Sequence, residues 1–112
     1  MAVFELLDEF NYHRRLQATD GLALVLFSSP GCGVCRVVEA RLPGVAPAGV
    51  RVFKVDVQTS LGLARALEVF HLPSLFLYRD GHYHARLDTA LHPGLLRAAI
   101  DAALAAPAQE EP

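Results

Sequence analysis

The segment Leu22-Ala23-Leu24-Val25-Leu26-Phe27 carries no polar side chain at any position. A strand with one face in water alternates apolar and polar residues, whereas a strand apolar throughout is covered on both faces, as in a parallel sheet sandwiched by helices. The segment therefore predicts a central strand, and the rest of the chain must supply helices for both of its faces. Ala2 to Leu6 reads as a short strand. Asp8 is placed to cap a helix running to Gln17, with Phe10 and Leu16 on its apolar face. After the central strand, Ser28-Ser29-Pro30-Gly31 breaks the run. From Cys32 onward Val34, Val37, Val38 and Leu42 repeat at helical spacing until Pro43-Gly44, where the helix is expected to stop.

Val50 to Val57 is rich in β-branched residues and predicts a third strand. Thr59 or Ser60 is placed to cap a helix with Leu63, Ala66, Leu67 and Phe70 on one face. Pro73 excludes helix at Leu72 and opens a strand over 74–78, and His71 ends the preceding helix. Asp80-Gly81 is a strong hairpin signal. Tyr83, Ala85 and Leu87 alternate with His82, His84 and Arg86 on the returning strand, which predicts one solvated face and leaves the two histidines as surface residues rather than metal ligands. Pro93 starts a last helix whose inner face holds Leu96, Ala99, Ile100, Ala103 and Leu104. The predicted order is β-α-β-α-β-α-β-β-α, in one domain over residues 1–106. Residues 107–112 are expected to form a flexible acidic tail.

The chain has two cysteines, Cys32 and Cys35, among 112 residues, and 53% of those residues are hydrophobic. That is enough apolar content for a core, and two cysteines three apart cannot build the multi-bridge framework of small secreted domains. The pair is redox chemistry, a metal site or two inert thiols. Tetrahedral zinc needs four ligands and no second cysteine pair exists, so no metal is expected. The position at a strand-to-helix junction favours redox chemistry. Cys32 falls where a helix presents free N–H groups and the positive end of its dipole, which favours thiolate, the attacking species in disulfide exchange. Cys35, one turn on, is placed to attack the mixed disulfide that Cys32 forms. Gly33 gives backbone freedom beside the nucleophile.

These residues resemble the thioredoxin family. The resemblance rests on the strand Leu22 to Phe27, on Ser28-Ser29-Pro30-Gly31-Cys32-Gly33-Val34-Cys35-Arg36, and on Val69 to Gly81, with Pro73 followed by a strand and an Asp-Gly turn. It implies a thioredoxin fold in the α/β class, with a central mixed sheet of about five strands flanked by about four helices. It also implies a cis peptide bond before Pro73, and a substrate chain pairing by backbone with Leu72. Gly31, Gly33, Val34, Leu72, Pro73 and Thr89 are the substrate-binding residues by this resemblance. Lys54 matches a lysine beneath the active site that tunes pKa values. The departures are specific: Gly31 and Ser28 stand where aromatic residues are common, Leu26 where a buried acid assists Cys35, Val34 where proline is usual, and Thr89 where a glycine opens the groove.

The expected activity is reduction of protein disulfides with no cofactor beyond the Cys32–Cys35 couple, fed by a reductase or another dithiol donor. The alternative is a thioredoxin-fold binding or chaperone-like module with weak or regulatory redox activity. Ten Lys and Arg against twelve Asp and Glu give a net charge of -2, which supplies no basic field for nucleic acid. The longest apolar run is far short of the roughly 20 residues of a membrane span. The acidic start, Glu5 to Glu9, differs from a signal peptide, so a cytoplasmic monomer is expected.

Overall fold

The computed structural model describes residues 3–112, and the elements follow the predicted order: β1 (Glu5–Leu7), α1 (Tyr12–Gln17), β2 (Leu22–Ser28), α2 (Gly33–Val45), β3 (Arg51–Asp56), α3 (Leu61–Ala66), β4 (Ser74–Arg79), β5 (His82–Leu87) and α4 (Pro93–Ala105). Ala2, where the first strand was expected to begin, lies outside the described residues. The strands form one five-stranded sheet in the order β1-β3-β2-β4-β5. β3 pairs parallel with β1 and with β2, while β4 runs antiparallel to both β2 and β5. β2 is central, as its unbroken apolar run requires.

Alternation along β2 divides the core. Ala23, Val25 and Phe27 pack on one face with Tyr12 and Leu16 of α1 and Leu63 and Ala64 of α3. Leu24 and Leu26 face the other way, onto Leu42 of α2 and Leu96 and Ile100 of α4. Each leucine so buried contributes roughly 1.5–3 kcal/mol, which makes β2 the element that ties both helical layers to the sheet.

Several boundaries differ from the sequence reading, each for a local reason. The Asp8 carboxylate accepts the N–H of Phe10 at 2.9 Å and of Asn11 at 3.1 Å, so it organises a turn, and the helix starts only at Tyr12 with Asn11 at its N-cap. Phe10 therefore sits in that turn and is exposed. Pro43 lies inside α2 instead of ending it. A proline in the last turn forfeits one hydrogen bond but its φ is already helical, and the Ala46 N–H still reaches the Leu42 carbonyl at 2.9 Å. α3 is shorter than its apolar spacing implied: it ends at Ala66, Glu68 turns with φ 55°, Val69 takes the buried place and Phe70 points outward. Ser60 does stand at the N-cap of α3, but its hydroxyl makes no capping bond.

The β4–β5 hairpin turns at Asp80 and Gly81, both with positive φ. A side chain on Gly81 would meet the Gln17 Cα at 2.8 Å, so this glycine serves both the turn and the close approach to α1. A bulge then interrupts β5: Tyr78 pairs with Tyr83 but Leu77 pairs with Ala85, which leaves His84 as the extra residue. The expected simple alternation fails at that point. His84 is buried, with its ring Nε2 2.5 Å from the Ala103 carbonyl of α4. The tail is also placed differently from the expectation of a loose end. The Gln109 N–H donates to the His84 carbonyl at 2.7 Å, and Glu111 accepts the Tyr78 hydroxyl at 2.9 Å and lies 2.6 Å from His13 Nε2.

Candidate active site at the start of α2

The sheet delivers β2 into Ser28, and the turn Ser29-Pro30-Gly31 closes with the Cys32 N–H bonded to the Ser29 carbonyl at 3.1 Å. Cys32 is the N-cap of α2, with extended backbone, and its sulfur accepts the Cys35 N–H at 3.1 Å. One free donor of the helix start is thus already aimed at the sulfur, the arrangement that stabilises negative charge there. The two cysteines are joined in a disulfide across a Cα–Cα distance of 5.2 Å. Their surroundings differ sharply, since Cys32 is partly exposed and Cys35 is wholly buried.

On one side of the pair runs a groove of about 470 Å³. Val34, Val37, Val38 and Arg41 form its α2 wall, Pro73, Ser74 and Leu75 the opposite wall, Thr89 belongs to the loop that closes it, and Leu26 reaches its floor. The Leu72–Pro73 peptide bond is cis, and the Ser74 hydroxyl donates to the His71 carbonyl at 2.6 Å across that corner. Val34, Pro73 and Thr89 are therefore brought together, and exposed Gly31 and Gly33 flank the cysteines. Leu72 is partly buried and packs against the core of the α1 and α3 face.

Lys54 lies on the other side. A cleft of about 260 Å³ there is lined by Ser28, Ser29, Pro30, Arg36, Glu39, Lys54 and Asp56. The Ser28 hydroxyl donates to Glu39 Oε1 at 2.7 Å, and Lys54 Nζ stands 3.9 Å from Glu39 Oε2 and 5.7 Å from the centre of the Phe4 ring. Glu39 went unremarked in the sequence. The signal available there was its position four residues after Cys35, which places both on one face of a helix.

The arrangement joins a cysteine at a helix start, a second one buried a turn later, and a proline corner across an open groove. A family model for thioredoxin matches residues 3–102. The chain belongs to the thioredoxin family. With its Cys32-x-x-Cys35 pair, this thioredoxin-family protein is a thiol-disulfide oxidoreductase. A thioredoxin of Chlamydia pneumoniae is 33% identical over 69 residues, which cover 60% of this chain and 68% of that relative. The oxidized crystal structure of mitochondrial thioredoxin 3 from Saccharomyces cerevisiae superposes with a TM-score of 0.72 at 25% identity, covering 88% of this chain and 94% of that one. Within this thioredoxin fold, Leu26 has its Cα partners in Lys54 of β3 and Leu75 of β4. An apolar side chain thus occupies the sheet position directly between the charged cleft and the groove.

Proposed function

We propose that the protein reduces disulfides in protein substrates, with Cys32 as the attacking sulfur and Cys35 as the resolving one. The observation that carries this order is the contrast in access: Cys32 caps the helix and meets solvent, while Cys35 has none of its surface exposed. In the reduced protein the Cys32 thiolate attacks one sulfur of the substrate disulfide, and the other substrate sulfur leaves as thiolate. Cys35 then loses its proton and attacks Cys32. The Cys32–Cys35 bond forms, the bond from Cys32 to substrate breaks, and the substrate departs fully reduced with both electrons.

An extended substrate chain lies in the groove against Val34, Pro73 and Thr89, pairs by backbone with Leu72, and passes over Gly31 and Gly33, where no side chain obstructs it. A reductase or other dithiol donor returns two electrons to the oxidised pair. Such a reductase works as a monomer in the reducing cytoplasm. Reduction of insulin by dithiothreitol, followed as turbidity, tests it. The wild type is expected to accelerate precipitation and Cys32→Ser to give the uncatalysed rate. Equal rates for the two would return the chain to a binding module that uses the groove alone. Iodoacetamide on the reduced protein should label Cys32 first, and preferential labelling of Cys35 would reverse the two roles.

A further inference from the structure

Resolution requires that a thiol with no exposed surface give up a proton at neutral pH. A free cysteine titrates near 8.5, and burial among apolar groups moves it upward, so the step calls for a nearby acceptor. Leu26 provides none. On the helix of Cys35 the side chain one turn onward is Glu39, and helical side chains lean toward the N-terminus, so that of residue 39 lies back over the turn that holds Cys35. Its carboxylate is fixed from two directions. The hydroxyl of Ser28, a residue buried at the end of β2, donates to one oxygen at 2.7 Å, and Lys54 faces the other at 3.9 Å. The cleft they share extends to Ser29, Pro30 and Arg36, which bracket the cysteine pair in the chain, and its roughly 260 Å³ accommodates bridging waters among several polar partners.

We infer that Glu39 is the proton acceptor of the release step, taking the Cys35 proton through water in this cleft as the Cys35 sulfur attacks the mixed disulfide at Cys32. The inference rests on the assignment of Cys35 as the resolving thiol. The proton moves from Cys35 to the Glu39 carboxylate, the sulfur electron pair forms the Cys32–Cys35 bond, and the substrate thiolate leaves and is later protonated by solvent. The charged groups facing the carboxylate are Lys54 and Asp56 from β3 and Arg36 from α2. Arg36 is turned toward the Pro30 carbonyl at 3.1 Å. Lys54 Nζ, 3.9 Å from Oε2, therefore remains the closest counter-charge to the carboxylate. The acid–base group of the site thus comes from the helix rather than from the central strand.

Glu39→Gln separates this role from a structural one, because an amide oxygen still accepts the Ser28 hydroxyl but does not take up a proton. Single-turnover reaction of the reduced protein with a labelled peptide disulfide, in stopped flow from pH 6 to 9, reads attack by Cys32 and release by Cys35 as separate phases. The attack phase of Glu39→Gln should stay within about twofold of wild type. Its release phase should slow by about tenfold or more at pH 7, approaching the usual range for loss of a general base, and the deficit should narrow as pH rises toward 9 and hydroxide takes the proton in its place. Glu39→Asp, which keeps a carboxylate, should recover at least half of that loss and keep the wild-type pH profile. A Gln variant equal to wild type at every pH overturns the inference, as does an Asp variant as slow as the Gln variant. If Glu39→Gln does not fold, Glu39→Asp decides alone: a profile parallel to wild type supports the role and one that steepens with pH overturns it. A Cys35→Ser control that releases peptide as fast as wild type would instead refute Cys35 as resolving thiol.

Discussion

The two neighbours of β2 differ in chemistry although each is six residues long. β3, Arg51–Asp56, carries Arg51, Lys54 and Asp56, and the cleft beside it gathers Glu39 and Ser28. β4, Ser74–Arg79, is buried from Ser74 through Tyr78, and the groove beside it is walled by valines, Pro73 and Leu75. The cysteine pair stands at the end of the strand between them. One flank is a largely apolar groove, and the other is a charged cleft. Keeping the two apart requires an inert divider, and Leu26, fully buried with partners on both strands, fills that place.

Removing the divider has the largest expected effect. Leu26→Asp puts a carboxyl in the core of the α2 and α4 face and gives up the burial of a leucine, a cost of about 3–5 kcal/mol, read as a lower midpoint in urea. Lys54 is its cross-strand partner, so a loss below about 1 kcal/mol would mean that the lysine neutralises the new acid and that the flanks are less separate than their side chains imply. A smaller change tests the apolar flank alone. Val34→Asp should slow reduction of a peptide disulfide with aliphatic neighbours about fivefold, the equivalent of roughly 1 kcal/mol of lost apolar contact. Reduction of a small aromatic disulfide that does not fill the groove should be unchanged. If both substrates slow equally, the effect lies on the Cys32 thiolate and not on substrate contact.

The smallest effect belongs to the charged flank. Glu5 receives Arg51 through two bonds, 2.9 Å and 2.6 Å, and Arg15 at 2.9 Å, and the Arg51 hydrogen bond is the main reason its carboxyl titrates below the ordinary range. A carboxyl with a lowered folded value contributes stability that is complete above the unfolded value near 4.3 and disappears as pH falls through the folded one. Glu5→Gln should therefore cost no more than about 1 kcal/mol at pH 7, as expected for a largely solvated pair. The difference from wild type should close below pH 4, as measured by thermal unfolding at a series of pH values. A difference that does not shrink as pH falls below 4 would assign the effect to packing instead of charge.

What was legible in the sequence is what short-range chemistry decides. The apolar run at β2, the Asp80-Gly81 turn, the β-branched β3 and Pro93 at the head of α4 each declare themselves within a few residues, and together they fix the element order. Cys32 and Cys35 were legible for the same reason, since the strand-to-helix junction that sets Cys32 at the N-cap of α2 is local. Phe10 and Phe70 misled because periodicity extends past the point where backbone turns end a helix, at Asn11 and at Glu68. The His84 bulge leaves no mark on the alternation of apolar letters, because an inserted residue is visible only against its partner strand. Glu39 was hidden most completely. On the helix it is an ordinary acid, and its meaning comes from Ser28 and Lys54, which reach it only once α2 has docked across β2 and β3.

The bulge and the returning tail act on a part of the molecule far along the sheet from β1, yet the two edges share an outcome. A strand edge with unpaired backbone groups is a template on which another chain adds itself. β1 exposes only Glu5–Leu7, too short to hold a register. β5 is kinked at His84, and the Gln109 N–H occupies the carbonyl at that kink while the Gln109 side-chain oxygen takes the Arg86 N–H at 3.4 Å. Among the described residues, neither edge offers a long, flat row of free donors and acceptors. In the proposed function an incoming extended segment pairs at the proline corner, away from any rim where pairing would lead to fibrils.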